Sequence, residues 1–176
     1  MGPHAERESY SLWLVPEGDI CRRLQRMIRR LSREHSTPCF KPHITLAGSI
    51  VGQEREVVAR VAMLARELSP LRLRLTHLDS RHEYFRCLFI RVMRVARLIR
   101  AHRRAKEIFG LRDRRGFLPH LSLVYGNLPG ATKRKIVATL ARCVELEFRV
   151  GCLELVSIQG PPSQWRRVKS FRLTKR

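Results

Sequence analysis

Residues 40–46 read Phe-Lys-Pro-His-Ile-Thr-Leu, and residues 117–123 read Phe-Leu-Pro-His-Leu-Ser-Leu. The two heptapeptides share Phe, Pro, His, a hydroxyl residue and Leu at matching places. Because side chains alternate between the faces of a strand, His43 and Thr45 lie on one face and their aliphatic neighbours on the other. The second heptapeptide divides in the same way. Each therefore predicts a strand with one reactive face and one core face.

The sequence on both sides of the first heptapeptide alternates between strand and helix patterns. Short apolar or alternating runs predict the strands, and apolar residues at helical spacing predict the helices. Asp19 is placed to cap the first helix. In chain order we expect a strand at 9–15, a helix from Ile20, a strand at 43–50, a helix at 54–68, and strands at 71–76 and 84–93 that pair across 79–83.

The second half of the chain repeats this order. Gly110 is placed to end its first helix, and two prolines interrupt its last strand region. In chain order we expect a helix at 94–109, a strand around His120, a helix at 132–144, and strands at 145–158 and 165–174. The repeat predicts a duplicated α+β architecture.

The chain is strongly basic. It carries 36 Lys and Arg residues against 15 Asp and Glu residues, a formal net charge of +21, and thirty of the basic residues are arginine. Many of these, such as Arg22, Arg26 and Arg29, fall on the polar side of a predicted amphipathic helix, where a charged face is simply solvated. The same charge also attracts polyanions and makes their binding salt-dependent. Composition leaves both interpretations open and indicates anionic partners.

The five cysteines are scattered, and none has the spacing of a zinc site or of a CxxC pair. We expect them to be reduced and mostly buried. No segment has the apolar run of a signal peptide or approaches the roughly 20 apolar residues of a membrane span. We therefore expect a cytoplasmic protein with no membrane partner.

Two histidines and two hydroxyls meet the requirements of phosphodiester cleavage, which are a base, an acid and donors for the phosphate oxygens. His43 and His120 suit both proton-transfer roles because the pKa of histidine lies near neutrality. Thr45 and Ser122 project onto the same faces and are placed to donate to a phosphate. This set requires no metal ion and no cofactor. Sequence does not decide which histidine is the base, although we favour His120 for activating water and His43 for protonating the leaving oxygen.

Further segments extend the pattern over most of the chain. Together they resemble the signature of the two-histidine (2H) phosphoesterase superfamily, and in particular its cyclic phosphodiesterase family. The matching segments are Ser-Leu-Trp13-Leu-Val-Pro, Pro-His43-Ile-Thr45-Leu, Tyr84-Phe85 and Pro-His120-Leu-Ser122-Leu-Val-Tyr125-Gly.

The resemblance implies a LigT-like fold of the α+β class. In it, duplicated β-α-β-α-β units form two lobes whose antiparallel sheets flank a central cleft, and each lobe supplies one histidine motif. The chain would then be a single 2H phosphoesterase domain over 1–176, with pseudo-symmetric lobes of roughly 9–93 and 94–176. Exchange of strands between the lobes stays open.

The resemblance also implies metal-independent hydrolysis of ADP-ribose 1″,2″-cyclic phosphate and of nucleoside 2′,3′-cyclic phosphates, the latter opened to 2′-phosphates. It gives the histidines and hydroxyls the roles described above and places Tyr125 in the pocket. Regular alternation would turn Tyr125 away from the face of His120, so the strand must end or bulge near Val124. Trp13 is either an aromatic wall for the sugar or base, or a core residue. Tyr84 and Phe85 are expected in the core.

Two other functions stay open. One is an RNA-end enzyme that opens or forms a 2′,3′-cyclic terminus or a 2′-5′ linkage, which the positive charge favours. The other is a basic RNA-binding module without catalysis. Self-repulsion of the basic surface favours a monomer. The remaining histidines are expected at the surface or in structural roles: His4, His35, His77, His82 and His102.

Overall fold

The structure is a computed structural model that describes residues 8–112 and 116–175. It contains eight strands and four α-helices, which confirms the α+β class with an antiparallel, curled sheet. The strands are β1 (Glu8–Leu14), β2 (Ile44–Gly52), β3 (Leu71–Ser80), β4 (Leu88–Val92), β5 (His120–Val124), β6 (Leu146–Val150), β7 (Cys152–Ser157) and β8 (Arg166–Arg172). The helices are α1 (Gly18–His35), α2 (Glu54–Glu67), α3 (Ala96–Phe109) and α4 (Gly130–Leu140).

The helices form where apolar residues recur at the helical period. In α1 the buried residues are Leu24, Ile28 and Leu31, so one stripe faces the sheet and the arginines face solvent. Helix α3 ends as predicted at Gly110, whose φ of 62° is the left-handed conformation that glycine adopts most easily. These helices therefore cover the sheet without burying their charged sides.

All eight strands belong to one sheet, in the order β6-β3-β4-β5-β2-β1-β7-β8, and every pairing is antiparallel. Strands β1 and β2 from the first half of the sequence adjoin β7 and β8 from the second half. Strands β3 and β4 likewise adjoin β5 and β6. The predicted division into lobes at residues 93 and 94 stays a prediction, but the two histidine strands are neighbours at the middle of this sheet.

The core faces of the two histidine strands are buried as their alternation predicts. Ile44, Leu46, Leu121 and Leu123 are all at most 1% exposed. They join one continuous apolar core beneath the helices. Burial on one face fixes the register, because a slip of one residue would bring the histidines into the core.

Two predicted strands differ from the structure. The strand expected at 84–93 begins only at Leu88, because Tyr84–Arg86 form a 3-10 turn in which the Arg86 amide donates to the Glu83 carbonyl. The strand expected at 145–158 is two strands, which separate at Gly151. There the Gly151 amide donates to the Glu17 carboxylate at 2.6 Å instead of to a neighbouring strand.

Two burial predictions are also wrong. Tyr84 and Phe85 were expected in the core, but they are 47% and 53% exposed because the 3-10 turn lifts them out of the sheet. All five cysteines are free, yet only Cys87 is buried, while Cys39 and Cys143 are exposed. Within the described residues, no helix is both long enough and apolar enough to cross a bilayer.

Candidate active site

The register of β2 and β5 brings the four predicted catalytic groups to one place. The two strands pair through Ile44 and Leu121, both of which point into the core. In an antiparallel pair with that register, His43 lies across from Ser122 and Thr45 lies across from His120. The reactive faces of the two heptapeptides therefore form a single patch.

Both histidines are held by the same local contact. The Nδ1 atom of His43 donates to the Lys41 carbonyl at 2.7 Å, and the Nδ1 atom of His120 donates to the Leu118 carbonyl at 2.8 Å. A carbonyl only accepts, so Nδ1 carries the proton in each ring. In each case a proline lies between the carbonyl residue and the histidine, and its fixed φ favours this turn. The Nε2 atom of each ring is thereby left unprotonated and can accept a hydrogen bond or a proton.

His43 is buried among aromatic rings. Trp13 stacks on it with ring centroids 3.6 Å apart, and Phe40 meets it edge-on at 6.3 Å. The Tyr125 hydroxyl lies 3.3 Å from its Nε2 atom and is placed to donate to it. Burial lowers the pKa of His43 to about 3, and the charges of His120 and Lys41 add to this lowering. His43 is therefore held neutral.

His120 lies in a more polar environment. Burial also lowers its pKa, and the nearby guanidinium groups of Arg86 and Arg81 lower it further, while the Leu118 carbonyl and Glu83 act in the opposite direction. Phe89 meets the ring edge-on at 5.1 Å. Both guanidinium groups pair with the Glu83 carboxylate, which leaves one net positive charge near His120 to attract a phosphate.

The two hydroxyls differ in what they contact. Within the described part of the chain, the Thr45 hydroxyl makes no hydrogen bond to protein, so it is available to a ligand. The Ser122 hydroxyl is buried and donates to the Phe85 carbonyl at 2.9 Å. Donation from Ser122 to a phosphate would therefore require this bond to break, which the motif alone does not reveal.

Tyr125 and Trp13 both adjoin His43. Strand β5 ends at Val124, as the placement of Tyr125 in the pocket requires, and Phe40 stacks on the Tyr125 ring at 3.7 Å. Burial raises the pKa of Tyr125, so its hydroxyl stays protonated and can donate. Trp13 is 4% exposed, and its indole nitrogen donates to Ser11 at 2.9 Å. Besides stacking on His43, the Trp13 ring meets Trp165 edge-on at 5.8 Å.

Sequence reasoning missed an aromatic pair at the edge of this patch, formed by exposed Phe85 and half-buried Trp165. Phe85 and Trp165 lie 5.9 Å apart, and each is within 6 Å of the Tyr125 ring. The sequence could have predicted that Tyr84 or Phe85 is exposed, because adjacent residues of a strand cannot both face the core. Trp165 follows two prolines and gave no comparable signal.

A second omission is the ion pair beneath His43. Lys41 Nζ contacts both carboxylate oxygens of Glu154, at 2.7 and 2.8 Å. The Glu154 side chain is only 9% exposed, and Arg167 approaches it at 3.5 Å. The pair ties β7 to the residue whose carbonyl orients His43. Long-range pairs of this kind are not visible in a sequence.

The other histidines lie apart from this patch. His77 and His82 are exposed, and His35 is half-buried. His102 is buried, bonds the Leu46 carbonyl at 2.7 Å through Nδ1 and stacks on Phe117, so it is structural. His4 lies outside the described residues. Among the residues that are described, no cluster of three or more His, Cys, Asp or Glu side chains is arranged to hold a metal ion.

The sequence is also similar to a known protein family and to a curated protein. A model of the 2′-5′ RNA ligase superfamily matches residues 16–162. A curated cyclic phosphodiesterase from Arabidopsis thaliana is 23% identical over 129 residues, which are 73% of this chain and 71% of that protein.

Solved structures agree on the fold. The crystal structure of E. coli LigT complexed with 3′-AMP superimposes with a TM-score of 0.66 at 13% identity, covering 97% of this chain and 100% of that one. The LigT complex with NADP+ gives 0.64 at 15% identity, over 97% and 100% of the two chains. The protein TT0787 of Thermus thermophilus gives 0.63 at 16% identity, over 94% and 98%.

Proposed function

Since the chain belongs to the 2′-5′ RNA ligase superfamily of two-histidine phosphoesterases, we propose that it hydrolyses cyclic phosphates without a metal ion. The proposed substrates are nucleoside 2′,3′-cyclic phosphates, opened to 2′-phosphates, and ADP-ribose 1″,2″-cyclic phosphate. His43 and His120 are the acid-base pair. A cytoplasmic monomer remains our expectation for its location and assembly.

One observation carries the proposal. Two histidines on adjacent strands are oriented by equivalent Nδ1 bonds, to Lys41 and Leu118. A single imidazole supports one proton transfer, but a pair supports removal of a proton on one side of a phosphate and its delivery on the other. The repeat of the orienting contact, rather than the histidines alone, favours catalysis over a structural role.

Burial lowers the pKa of both rings, and that of His43 by a large amount. His43 is the more strongly held in its neutral form, with a pKa of about 3, and a neutral imidazole is the form that accepts a proton. We therefore assign His43 as the base and His120 as the acid, the reverse of the preference drawn from sequence. In this step the Tyr125 hydroxyl turns away from Nε2 of His43, which takes a proton from water. The water oxygen attacks phosphorus, the P–O3′ bond breaks, and protonated His120 delivers its proton to O3′.

The remaining groups bind the substrate. The Thr45 hydroxyl donates to a non-bridging phosphate oxygen, and the guanidinium groups of Arg81 and Arg86 attract the phosphate. The exposed ring of Phe85, next to half-buried Trp165, offers a surface at which a base can stack. Trp13 stacks on the imidazole of His43 and Tyr125 lies at its Nε2 atom, so both hold the orientation of the ring. Ser122 contributes by fixing the Phe85 segment, and it can turn to the phosphate when that bond opens.

The test is hydrolysis of 2′,3′-cyclic AMP and ADP-ribose 1″,2″-cyclic phosphate in excess chelator, with product identification. Wild type is expected to turn over and to give the 2′-phosphate from cyclic AMP. His43→Ala and His120→Ala are each expected to lose about 100-fold or more in kcat. His77→Ala removes an exposed histidine and should keep the wild-type rate. Loss of wild-type activity on chelation would rule out the metal-free mechanism, and inert wild type that binds RNA would favour the non-catalytic module.

A second substrate class, RNA ends, is favoured by the net charge of +21. Counterion release would then make oligonucleotide turnover much more sensitive to salt than that of a mononucleotide. The comparison is kcat/KM for cyclic-ended oligonucleotides and for 2′,3′-cyclic AMP between about 50 and 200 mM salt. A large oligonucleotide preference that salt removes would support RNA ends, and equal rates with equal salt dependence would leave the small molecules as substrates.

A further inference from the structure

Lys133 is a buried charge that the proposed chemistry does not use. It lies in the first turns of α4 and is only 5% exposed. Its ammonium donates to the Arg81 carbonyl at 3.1 Å, and no carboxylate of the described residues pairs with it. Burying an ammonium without a counter-charge is costly, and lysines are almost never buried unless paired. We therefore expect an anion to bind next to the ammonium of Lys133.

An open cavity of about 370 Å³ lies in front of this lysine. Its walls come from the end of β3 with the following loop and from one side of α4. The lining residues are Ser80, His82, Gly130, Lys133, Arg134, Val137 and Ala138. None of them is acidic, and two carry permanent positive charge. The cavity is thus wide enough and basic enough to receive a phosphate group.

The cavity is connected to the catalytic patch through the loop at 81–86. On the cavity side, Lys133 holds the Arg81 carbonyl. On the catalytic side, the Phe85 carbonyl of the same loop accepts from Ser122 at 2.9 Å. The guanidinium of Arg81 also acts on the charge state of His120. The loop at 81–86 therefore contacts both the cavity lysine and the serine of the catalytic patch.

We propose that Lys133 and Arg134 form a second phosphate site, which binds a further phosphate of the substrate while the cyclic phosphate occupies the patch of His43 and His120. This rests on the proposed function. It names the preferred substrate class as molecules that carry at least one phosphate besides the cyclic one. Two sources have that chemistry: the next phosphodiester of an RNA end and the pyrophosphate of a dinucleotide.

The test compares three substrates in wild type and variants: 2′,3′-cyclic AMP, the dinucleotide ApA with a 2′,3′-cyclic end, and ADP-ribose 1″,2″-cyclic phosphate. The measured quantity is kcat/KM for each longer substrate divided by that for cyclic AMP. Lys133→Gln removes the charge and keeps a donor for the Arg81 carbonyl. It should lower this ratio about tenfold, as expected for a lost charge-assisted hydrogen bond. The longer substrate whose ratio falls identifies the source of the second phosphate.

Two further variants provide a second test of the site and a control. Arg134→Gln changes an exposed residue of the same cavity and should lower the ratio a few-fold without risk to folding. Lys135→Gln makes the same change one position further along α4, outside the cavity, and should leave the ratio unchanged. If Lys133→Gln lowers all three rates equally, or lowers none, or if Lys135→Gln has the same effect, the second site is wrong.

A binding measurement can distinguish failure of the second phosphate site from failure of the proposed function. Pyrophosphate is titrated by calorimetry into wild type, Lys133→Gln and His43→Ala. A site that is lost in Lys133→Gln and kept in His43→Ala supports the cavity even if no substrate is hydrolysed, in which case only the proposed function fails. Equal binding to wild type and Lys133→Gln overturns the second site, whatever the activity.

Discussion

At the scale of single residues, burial of His43 couples its protonation to folding. Its pKa is about 3 in the folded protein and lies near the ordinary 6.5 when unfolded. The unfolded state therefore binds the proton more tightly, so this contribution to stability is complete above about pH 6.5 and is lost as the pH falls toward 3. His43 makes the fold acid-sensitive.

The neutral variant His43→Asn should remove that sensitivity. Between pH 6.5 and 4, the free energy of unfolding of wild type should fall more steeply than that of the variant, by up to about 1.4 kcal/mol per pH unit. Denaturant unfolding at several pH values measures both slopes. Parallel slopes would show that His43 titrates near its ordinary pKa and is not held neutral.

The Tyr125 hydroxyl is the contact of His43 that can be removed most cleanly. Tyr125→Phe keeps the stack on Phe40 and deletes the donor 3.3 Å from Nε2. We expect little change in Tm and a loss of about tenfold or less in kcat on 2′,3′-cyclic AMP, as for one hydrogen bond between neutral groups. A kcat equal to that of wild type would place Tyr125 outside the site and leave it a packing residue.

At the scale of elements, the turn before β2 is fixed by its ion pair. Lys41 and Glu154 connect this turn to β7, and the Lys41 carbonyl orients His43. Glu154→Gln should therefore lower kcat several-fold and shift the acidic limb of the pH profile, with KM nearly unchanged. Glu145→Gln breaks the exposed pair with Arg74 and is the matched control, because exposed pairs contribute little. Equal effects of the two variants would contradict a positioning role for Glu154.

Elements with a clear period could be predicted from sequence, and elements set by distant contacts could not. Leu24, Ile28 and Leu31 predict α1, and the alternation around His43 and His120 predicts both the strands and their reactive faces. The 3-10 turn at Tyr84 and Phe85 was missed because aromatic residues favour strands locally, and only the tertiary fold exposes them. The break at Gly151 depends on Glu17, which is 134 residues away in the chain.

The residues of the candidate site could likewise be predicted where a local motif contains them, and could not where their place depends on distant contacts. Both histidines and both hydroxyls could be named because they belong to short motifs with a repeated pattern, and Tyr125 only because the sequence resembles a known family. Lys133 could not, since a lysine four residues into an amphipathic helix is usually solvated, and its burial depends on packing of α4 against the loop after β3. The register that sets His43 across from Ser122 is likewise a property of the sheet.

At the scale of the whole molecule, the charge of +21 should destabilise the compact state through self-repulsion. Added salt screens this repulsion, because the Debye length falls from about 30 Å at 0.01 M to about 8 Å at 0.15 M. We expect Tm to rise over that range in a salt of a weakly binding anion. A fall in Tm would mean that the ion pairs of the structure outweigh the repulsion.

The sheet brings two halves of the chain together, with His43 and His120 on neighbouring strands. The proposal that both act on one phosphate is tested most directly by their kinetic coupling. The measurement is kcat/KM on 2′,3′-cyclic AMP for wild type, His43→Ala, His120→Ala and the double variant. Groups that act as a unit are not additive, so the double variant should lose about as much activity as the worse single variant. Losses that multiply, or a single variant with the wild-type rate, would contradict a shared acid-base mechanism.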